Sequence, residues 1–515
     1  MHDPNPLARS LRAASLGREA APFIEAEGKE PLSFGAFFEA AERMAAALAR
    51  AGVAPGDRVA AQVEKSPEAL ALYLGAVLAG GVFLPLNTAY TPAEVAYFLG
   101  DAEPAVFVCD PARREALAEP ARAAGVRALL ALDARGEGTL REAAEAEAAG
   151  SEAAPRAEDD LAAILYTSGT TGRSKGAMLS HANLLSNAET LRGFWRFTEA
   201  DALIHALPIF HTHGLFVATN VALAAGAKLL FQPRFDPEAV LAAMPRATAL
   251  MGVPTFYVRL LDHSGLTREA TAGMRLFVSG SAPLLAETHR LWRERTGHAI
   301  LERYGMTETN MNTSNPYEGE RRPGTVGLAL PGVEVRVADD DGRPLPPGEI
   351  GGVEVRGPNV FRGYWRMPEK TAEEMRADGF FRTGDLGRFD ADGYLSIVGR
   401  SKDLVITGGY NVYPKEVEAL IDEIEGVRES AVIGLPHPDL GEGVAAVVVP
   451  REGAALSEEA VLEPLRARLA RFKQPRRVLF LPELPRNAMG KVQKNALREA
   501  YADAFAPAPA ATERR

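Results

Sequence analysis

Residues 166–176 read "YTSGTTGRSKG", and the reading of this stretch decides which fold must surround it. Its glycines and lysine suit a phosphate cradle. Gly172 to Gly176 also spells G-x-S-x-G, the nucleophile elbow of serine hydrolases, with Ser174 as nucleophile. A run of Ser, Thr and Gly is equally what a solvated turn contains. An elbow needs a strand that enters the serine directly and a helix that leaves at once. Here the nearest strand pattern, "LAAILY", ends near Tyr166, and the next helix start is Ser180. It caps "HANLLSNAETLRGFW", with Leu184, Leu185, Ala188 and Leu191 on one face. Ser174 is therefore expected in mid-loop. A Walker A loop fails too. Counted from Gly169, its second glycine falls on Ser174, and Gly176 stands where Ser or Thr should follow Lys175. What remains is a loop dense in donors. Thr167, Ser168, Thr170, Thr171 and Ser174 offer hydroxyls, Gly169, Gly172 and Gly176 let backbone N–H groups approach an anion, and Lys175 adds a point charge. That set suits the β- and γ-phosphates of ATP, or a pyrophosphate leaving group.

Outward from this loop, helical and strand patterns alternate. "FGAFFEAAERMAAALARAG" has helical apolar spacing and stops at Gly52; "DRVAAQV", "VFLPL", "AVFVC" and "ALLAL" read as strands. The apolar run Leu70 to Leu86 is broken by Gly80-Gly81 and preceded by Ser66-Pro67-Glu68, so it reads as a helix, a stop and a strand rather than a membrane span. Residues 161–315 repeat the rhythm, which implies covered parallel sheet. Between about 318 and 400, "VEVRV", "GGVEVRG" and "GYLSIVG" with their "DDG", "PPG" and "ADG" turns predict a β-rich section. A small α+β unit follows over 401–500, and the tail 501–515 is expected to be disordered. The fold class is thus α/β. A large N-terminal domain spans 1–400, made of two α/β subdomains and a β-rich one, and a small C-terminal domain follows it.

Composition narrows the function. The 515 residues carry a formal charge of −11, which argues against nucleic acid as the partner. The single cysteine, Cys109, excludes an internal disulfide and a cysteine zinc cluster, and reads as a small core residue at a strand end. The N-terminal "MHDPNPLARS" has no apolar signal core. A cytoplasmic protein with no membrane partner is expected, and nothing in the sequence sets an oligomeric state.

The string "YTSGTTGRSKGAMLSH" resembles the phosphate loop of the adenylate-forming superfamily, which holds the acyl-CoA synthetases. Four further strings follow in that family's order: "RYGMTET" at 303–309, "RTGDLG" at 382–387, "GRSKDLVITGGYNVYP" at 399–414 and "LPRNAMGKVQK" at 484–494. The resemblance covers about residues 20–500. It implies two half-reactions. A carboxylate attacks the α-phosphate of ATP to give an acyl-adenylate and pyrophosphate, and the thiol of CoA then takes the acyl group and releases AMP. It implies Glu308, after Thr307, as the Mg2+ ligand. Asp385 would accept the ribose hydroxyls, Arg400 would add charge beside ribose or phosphate, and Lys491 would reach the α-phosphate and the substrate carboxylate. Lys402 falls at the family's hinge, about which a mobile lid carries Lys491 in and the "GGYNVYP" loop in turn. Two histidines alone do not make a metal site; the resemblance makes His211 in "PIFHTHG" a wall of the acyl pocket, able to guard the thiol path. Ser281 in "VSGSAPL" lines the adenine and acyl pocket.

The longer strings "ERYGMTETNMNTSNPY", "PIFHTHGLFVATN" and "PTFYVRLL" look like those of malonyl-CoA synthetases. A diacid brings a second carboxylate that must not be buried unpaired. Arg259 is the sequence's candidate to grip it with two parallel bonds, against the plainer reading of a helix residue with its charge in solvent. Met306 and Ser281 are expected to limit pocket depth. A medium- or long-chain fatty acyl-CoA synthetase is the alternative within the class, and a serine hydrolase acting through Ser174 the alternative outside it.

Overall fold

The computed structural model describes residues 5–150, 152–167, 174–408, 410–466, 468–487 and 490–505. A six-stranded sheet runs Ala128–Ala131, Val106–Cys109, Arg58–Gln62, Val82–Pro85, Leu161–Thr167, Lys175–Ser180. It is parallel up to its last pair, where Leu161–Thr167 and Lys175–Ser180 form an antiparallel hairpin. The phosphate-loop string therefore joins two strands. A strand, not a helix, leaves Ser174, which removes the elbow geometry a serine hydrolase requires. Ser180 caps the helix His181–Phe194 with a capping box closed by Asn183.

A nine-stranded sheet stands against the first. Leu301–Met306, Leu276–Ser279, Ala249–Gly252, Ala202–His205, Lys228–Phe231 and Pro22–Ala26 are its parallel run, extended by Asn310–Ser314 on one side. Chain order and sheet membership part company here. The N-terminal strand Pro22–Ala26 joins the second sheet, whereas the phosphate-loop hairpin belongs to the first. Between the sheets lies the helix Pro67–Leu78, of which every residue but Glu68 is buried, as an all-apolar helix must be. Its Tyr73 hydroxyl meets the Asn220 amide at 3.3 Å, and its ring packs on Phe216. The two sheets thereby share one core.

The β-rich section is a four-stranded antiparallel sheet: Glu334–Ala338, Gly351–Arg356, Phe381–Phe389, Leu395–Arg400. A 3₁₀ turn, Ser401–Asp403, then leads to the C-terminal unit. That unit is built on the long hairpin Val427–His437 and Gly441–Pro450, with Arg477–Phe480 alongside. The alternation of the hairpin feeds two small cores. Val432, Val444, Ala446 and Val448 face the helices Pro414–Ile421 and Glu458–Arg466, whereas Ile433, Leu435 and Val447 face Lys494–Ala500. Within the segment expected to be a disordered tail, Tyr501, Ala504 and Phe505 pack on this second core; residues 506–515 lie outside the described ones. Among the described residues no helix is long and apolar enough to cross a membrane.

Candidate active site

A cavity of about 900 Å³ opens between the large domain and the C-terminal unit, and Ser281, Arg303, Tyr304, Asp385, Arg400 and Lys491 are among its lining residues. Strand pairing brings two of them together. Asp385 lies on Phe381–Phe389 directly opposite Arg400 on Leu395–Arg400, and Arg400 Nε is 2.8 Å from Asp385 Oδ1. The Tyr304 hydroxyl donates to Asp385 Oδ2 at 2.6 Å. The aspartate is thus fixed in rotamer, yet each oxygen keeps a lone pair for a further donor. Asp385 holds Arg400 above the usual guanidinium pKa.

Lys491 enters from the C-terminal unit. Its loop is tied by Asn487, whose side chain accepts the Lys491 N–H at 3.0 Å. Gly490 lets that loop touch the large domain: a Cβ there would meet Thr255 Oγ1 at 2.8 Å, with φ at +73°. The enclosing walls, and then the neighbouring Arg400, lower the Lys491 ammonium to about 8. The structure therefore places the lysine of the last motif beside the acid and base of the two preceding ones.

Glu308 sits in the turn after Leu301–Met306, one residue past Thr307. Its Oε1 accepts from Thr167 Oγ1 at 3.3 Å and from the Tyr364 hydroxyl at 3.1 Å. Burial raises its pKa, and among the described residues no cation pairs with it. A buried carboxylate held by hydroxyls and its own backbone N–H, with Lys175 and Arg400 acting on it only through their fields, could complete its charge with Mg2+, a hard cation that takes carboxylate and phosphate oxygens. No cluster of three or more His, Cys, Asp or Glu that could hold a metal occurs among the described residues. Lys175 is the first residue of Lys175–Ser180 rather than part of the loop, and its Nζ is 3.1 Å from Glu374 Oε1. Ser168, Gly169, Thr170, Thr171 and Gly172 lie outside the described residues.

Arg259 is not where the sequence reading put it. The helix Pro254–Leu261 buries Phe256, Tyr257 and Leu260 and turns Thr255, Val258 and Leu261 to the cavity; Arg259 falls on the remaining face and is exposed. An arginine that does line the cavity is Arg303, on Leu301–Met306. It is 3 % exposed, and its Nε and Nη2 have no partner among the described residues. With no anion beside it, burial pulls its pKa down to about 9, so it stays charged at neutral pH. Gly280 makes the room for it, since a Cβ there would lie 2.4 Å from the guanidinium carbon. The signal was present in "ERYGMTET", where strand alternation puts Arg303 on the same face as Leu301 and Gly305.

Ser281 borders Arg303 in a left-handed backbone conformation, φ +70°, rare for a residue with a Cβ and concentrated at functional sites. Its Oγ is 3.3 Å from His213 Nδ1. The backbone N–H of His213 donates to His211 Nδ1 at 3.3 Å. His211 is held neutral, near 4, by burial and by Arg303 and Lys491. Since its Nδ1 accepts, its proton is on Nε2. His213 opens a π-helical segment, His213–Thr219, a winding frequent at functional sites. Met306 is half-buried against the main core. Lys402 stands in the 3₁₀ turn between the large domain and the C-terminal unit.

A family model described as AMP-binding enzyme matches residues 11–365, and one described as AMP-binding enzyme C-terminal domain matches 416–491. The indoleacetate–CoA ligase of Aromatoleum aromaticum is 37% identical over 503 residues, 94% of this chain and 96% of that one. The malonate–CoA ligase of Arabidopsis thaliana is 35% identical over 482 residues, 87% of this chain and 78% of that one. Among solved structures, ATP-bound MatB from Rhodopseudomonas palustris superposes with a TM-score of 0.95 at 59% identity, over 98% of this chain and 100% of that chain. The apo form of the same protein gives a TM-score of 0.85.

Proposed function

The chain belongs to the AMP-binding enzyme family, with that family's C-terminal domain, and from this premise we propose that it joins malonate to CoA at the expense of ATP. Malonate attacks the α-phosphate to give malonyl-AMP and pyrophosphate; the CoA thiol then attacks the acyl carbon, giving malonyl-CoA and AMP. The observation that carries the choice of acid is Arg303, a buried guanidinium with unpartnered nitrogens beside Ser281 in the cavity. A monocarboxylate would leave that charge unmatched in the complex, at a penalty of several kcal/mol. A second carboxylate matches it. The 59% identity to MatB and the malonate–CoA ligase among its relatives point the same way.

The other residues follow from charge. The first half-reaction builds negative charge on the α-phosphate and on pyrophosphate, so positioned cations and donors do most of the work. Lys491 meets the α-phosphate and the attacking carboxylate. Thr167 and Lys175, with the phosphate loop, take the pyrophosphate. Asp385 accepts the ribose hydroxyls while Arg400 and Tyr304 hold its carboxylate still. His211, with its proton on Nε2, donates to the acid. Glu308 would hold Mg2+ together with the polyphosphate, and the ion when bound offsets polyphosphate charge. The Ser401–Asp403 turn, with Lys402, is the pivot on which the C-terminal unit swings Lys491 away before CoA attacks. The use of ATP and CoA as co-substrates supports a cytoplasmic location for the reaction, and a lone buried thiol at Cys109 is compatible with it.

The test is acid-dependent ATP–pyrophosphate exchange with malonate, methylmalonate, acetate, octanoate and indoleacetate. Malonate should give the highest kcat/KM. A preference for octanoate or indoleacetate would reject the malonate assignment while leaving the ligase chemistry in place.

A further inference from the structure

Lys175 has a partner that none of the nucleotide motifs supplies. Glu374 is the last residue of the helix Pro368–Glu374, far along the chain in the β-rich section. Its Oε1 is 3.1 Å from Lys175 Nζ and 3.2 Å from Lys370 Nζ. Its Oε2 accepts from the Tyr364 hydroxyl at 2.7 Å, and that hydroxyl is also 3.1 Å from Glu308 Oε1. The Lys175 ammonium lies 3.9 Å from the centroid of the Tyr364 ring. The lysine is thus boxed in by a ring face and a carboxylate, with only 12% of its side chain exposed.

A carboxylate at a helix C-terminus faces the negative end of the helix dipole, so this position favours an anion only because cations meet it there. Two do, and they are not equivalent. Lys370 belongs to the same helix and also reaches Glu373 at 2.8 Å. Lys175 arrives from the end of the phosphate loop. A polyphosphate that takes Lys175 leaves Glu374 paired with Lys370; when pyrophosphate departs, Glu374 receives Lys175 again. Neither stage leaves a half-buried charge alone, which is the expensive outcome.

We infer that Glu374 is a positioning residue that competes with the polyphosphate for Lys175, weakening the hold on pyrophosphate and so assisting its release. This rests on the reading of Lys175 as a phosphate ligand.

The experiment measures pyrophosphate and MgATP dissociation constants by calorimetry on the full chain, with wild type, Glu374→Gln, Lys370→Gln, Lys175→Met and the Glu374→Gln/Lys175→Met pair. Glu374→Gln should tighten pyrophosphate by about threefold to fivefold, the scale of a partly exposed ion pair. Lys370→Gln should weaken it, because Glu374 then has no other cation. In the Lys175→Met background, Glu374→Gln should change nothing. A purely structural role does not give opposite signs at 374 and 370. The inference is overturned if Glu374→Gln leaves pyrophosphate binding unchanged or weaker, or if its effect persists without Lys175. If Lys175→Met itself leaves pyrophosphate binding intact, the phosphate-ligand reading falls, and this inference with it.

Discussion

Asp385 and Arg400 face each other across two antiparallel strands of the β-rich sheet, joined by a 2.8 Å contact from Nε to Oδ1. The pair stands at the seam where the large domain hands over to the C-terminal unit, and Tyr304 secures its other side. Asp385→Asn keeps the shape and removes the charge. Because hydrogen bonds to charged groups contribute about 1.5–3 kcal/mol, KM for ATP should rise about tenfold or more. KM for the acid should move far less. An equal rise in both would show a general collapse of the site.

Arg303→Ala should lower kcat/KM for malonate by about 10²-fold or more, on the scale of a buried charge pair, with a much smaller change in ATP binding. Arg259→Ala should stay within about 0.5 kcal/mol of wild type, as exposed positions do. Steady-state kinetics of both variants against malonate separates the two arginines, and the reverse ranking would return the acid site to Arg259.

Lys491→Ala should cut adenylation by about 10²-fold to 10³-fold, the loss typical of one group that meets developing charge, while sparing thiolysis of supplied malonyl-AMP. The free enzyme's ammonium titrates near 8, lowered from the ordinary lysine value, so its charge is lost as pH rises through that point. The kcat/KM profile for pyrophosphate exchange should fall above about pH 8. Lys491→Ala should remove that limb from its residual activity.

Glu302 is buried beside the cavity and its carboxyl is pushed up to about 8 by burial. The folded state therefore holds this proton between pH 4.5 and 8 while the unfolded chain has released it. Across that window the folded form loses stability as pH rises. Glu302→Gln removes this dependence, so the variant's Tm advantage over wild type, measured without ligands, should grow from pH 5 to pH 8. A constant difference would show that Glu302 is ionised throughout.

Local signals carried much of this architecture. Ser66 and Ser180 are both N-caps in the structure, because a cap is a contact between a side chain and a backbone N–H three residues away. The apolar run after Ser66 became a buried helix and a strand for the same reason. Strand membership was harder to read. Nothing near Pro22–Ala26 states that its neighbour is Lys228–Phe231. "FRTGDLGRF" holds two glycines and an aspartate, residue types common in turns, yet it is a nine-residue strand that turns Thr383 and Asp385 inward, as a polar cavity demands. Arg259 and Arg303 differ in the same way. Both belong to plausible strings, and only the sheet's register and the helix's rotation decide which one meets the cavity.

Gly280 gains a second meaning from Arg303. The guanidinium occupies the volume where a side chain at 280 would begin, so an acid site built on Arg303 depends on a position that contributes no functional group. The two sites are bound to change together. A descendant that took an uncharged acid could lose the arginine and fill position 280, whereas one that kept a diacid must leave that Cα bare. Selectivity in this pocket is written partly in hydrogen, and a search for it among charged residues alone would pass it by.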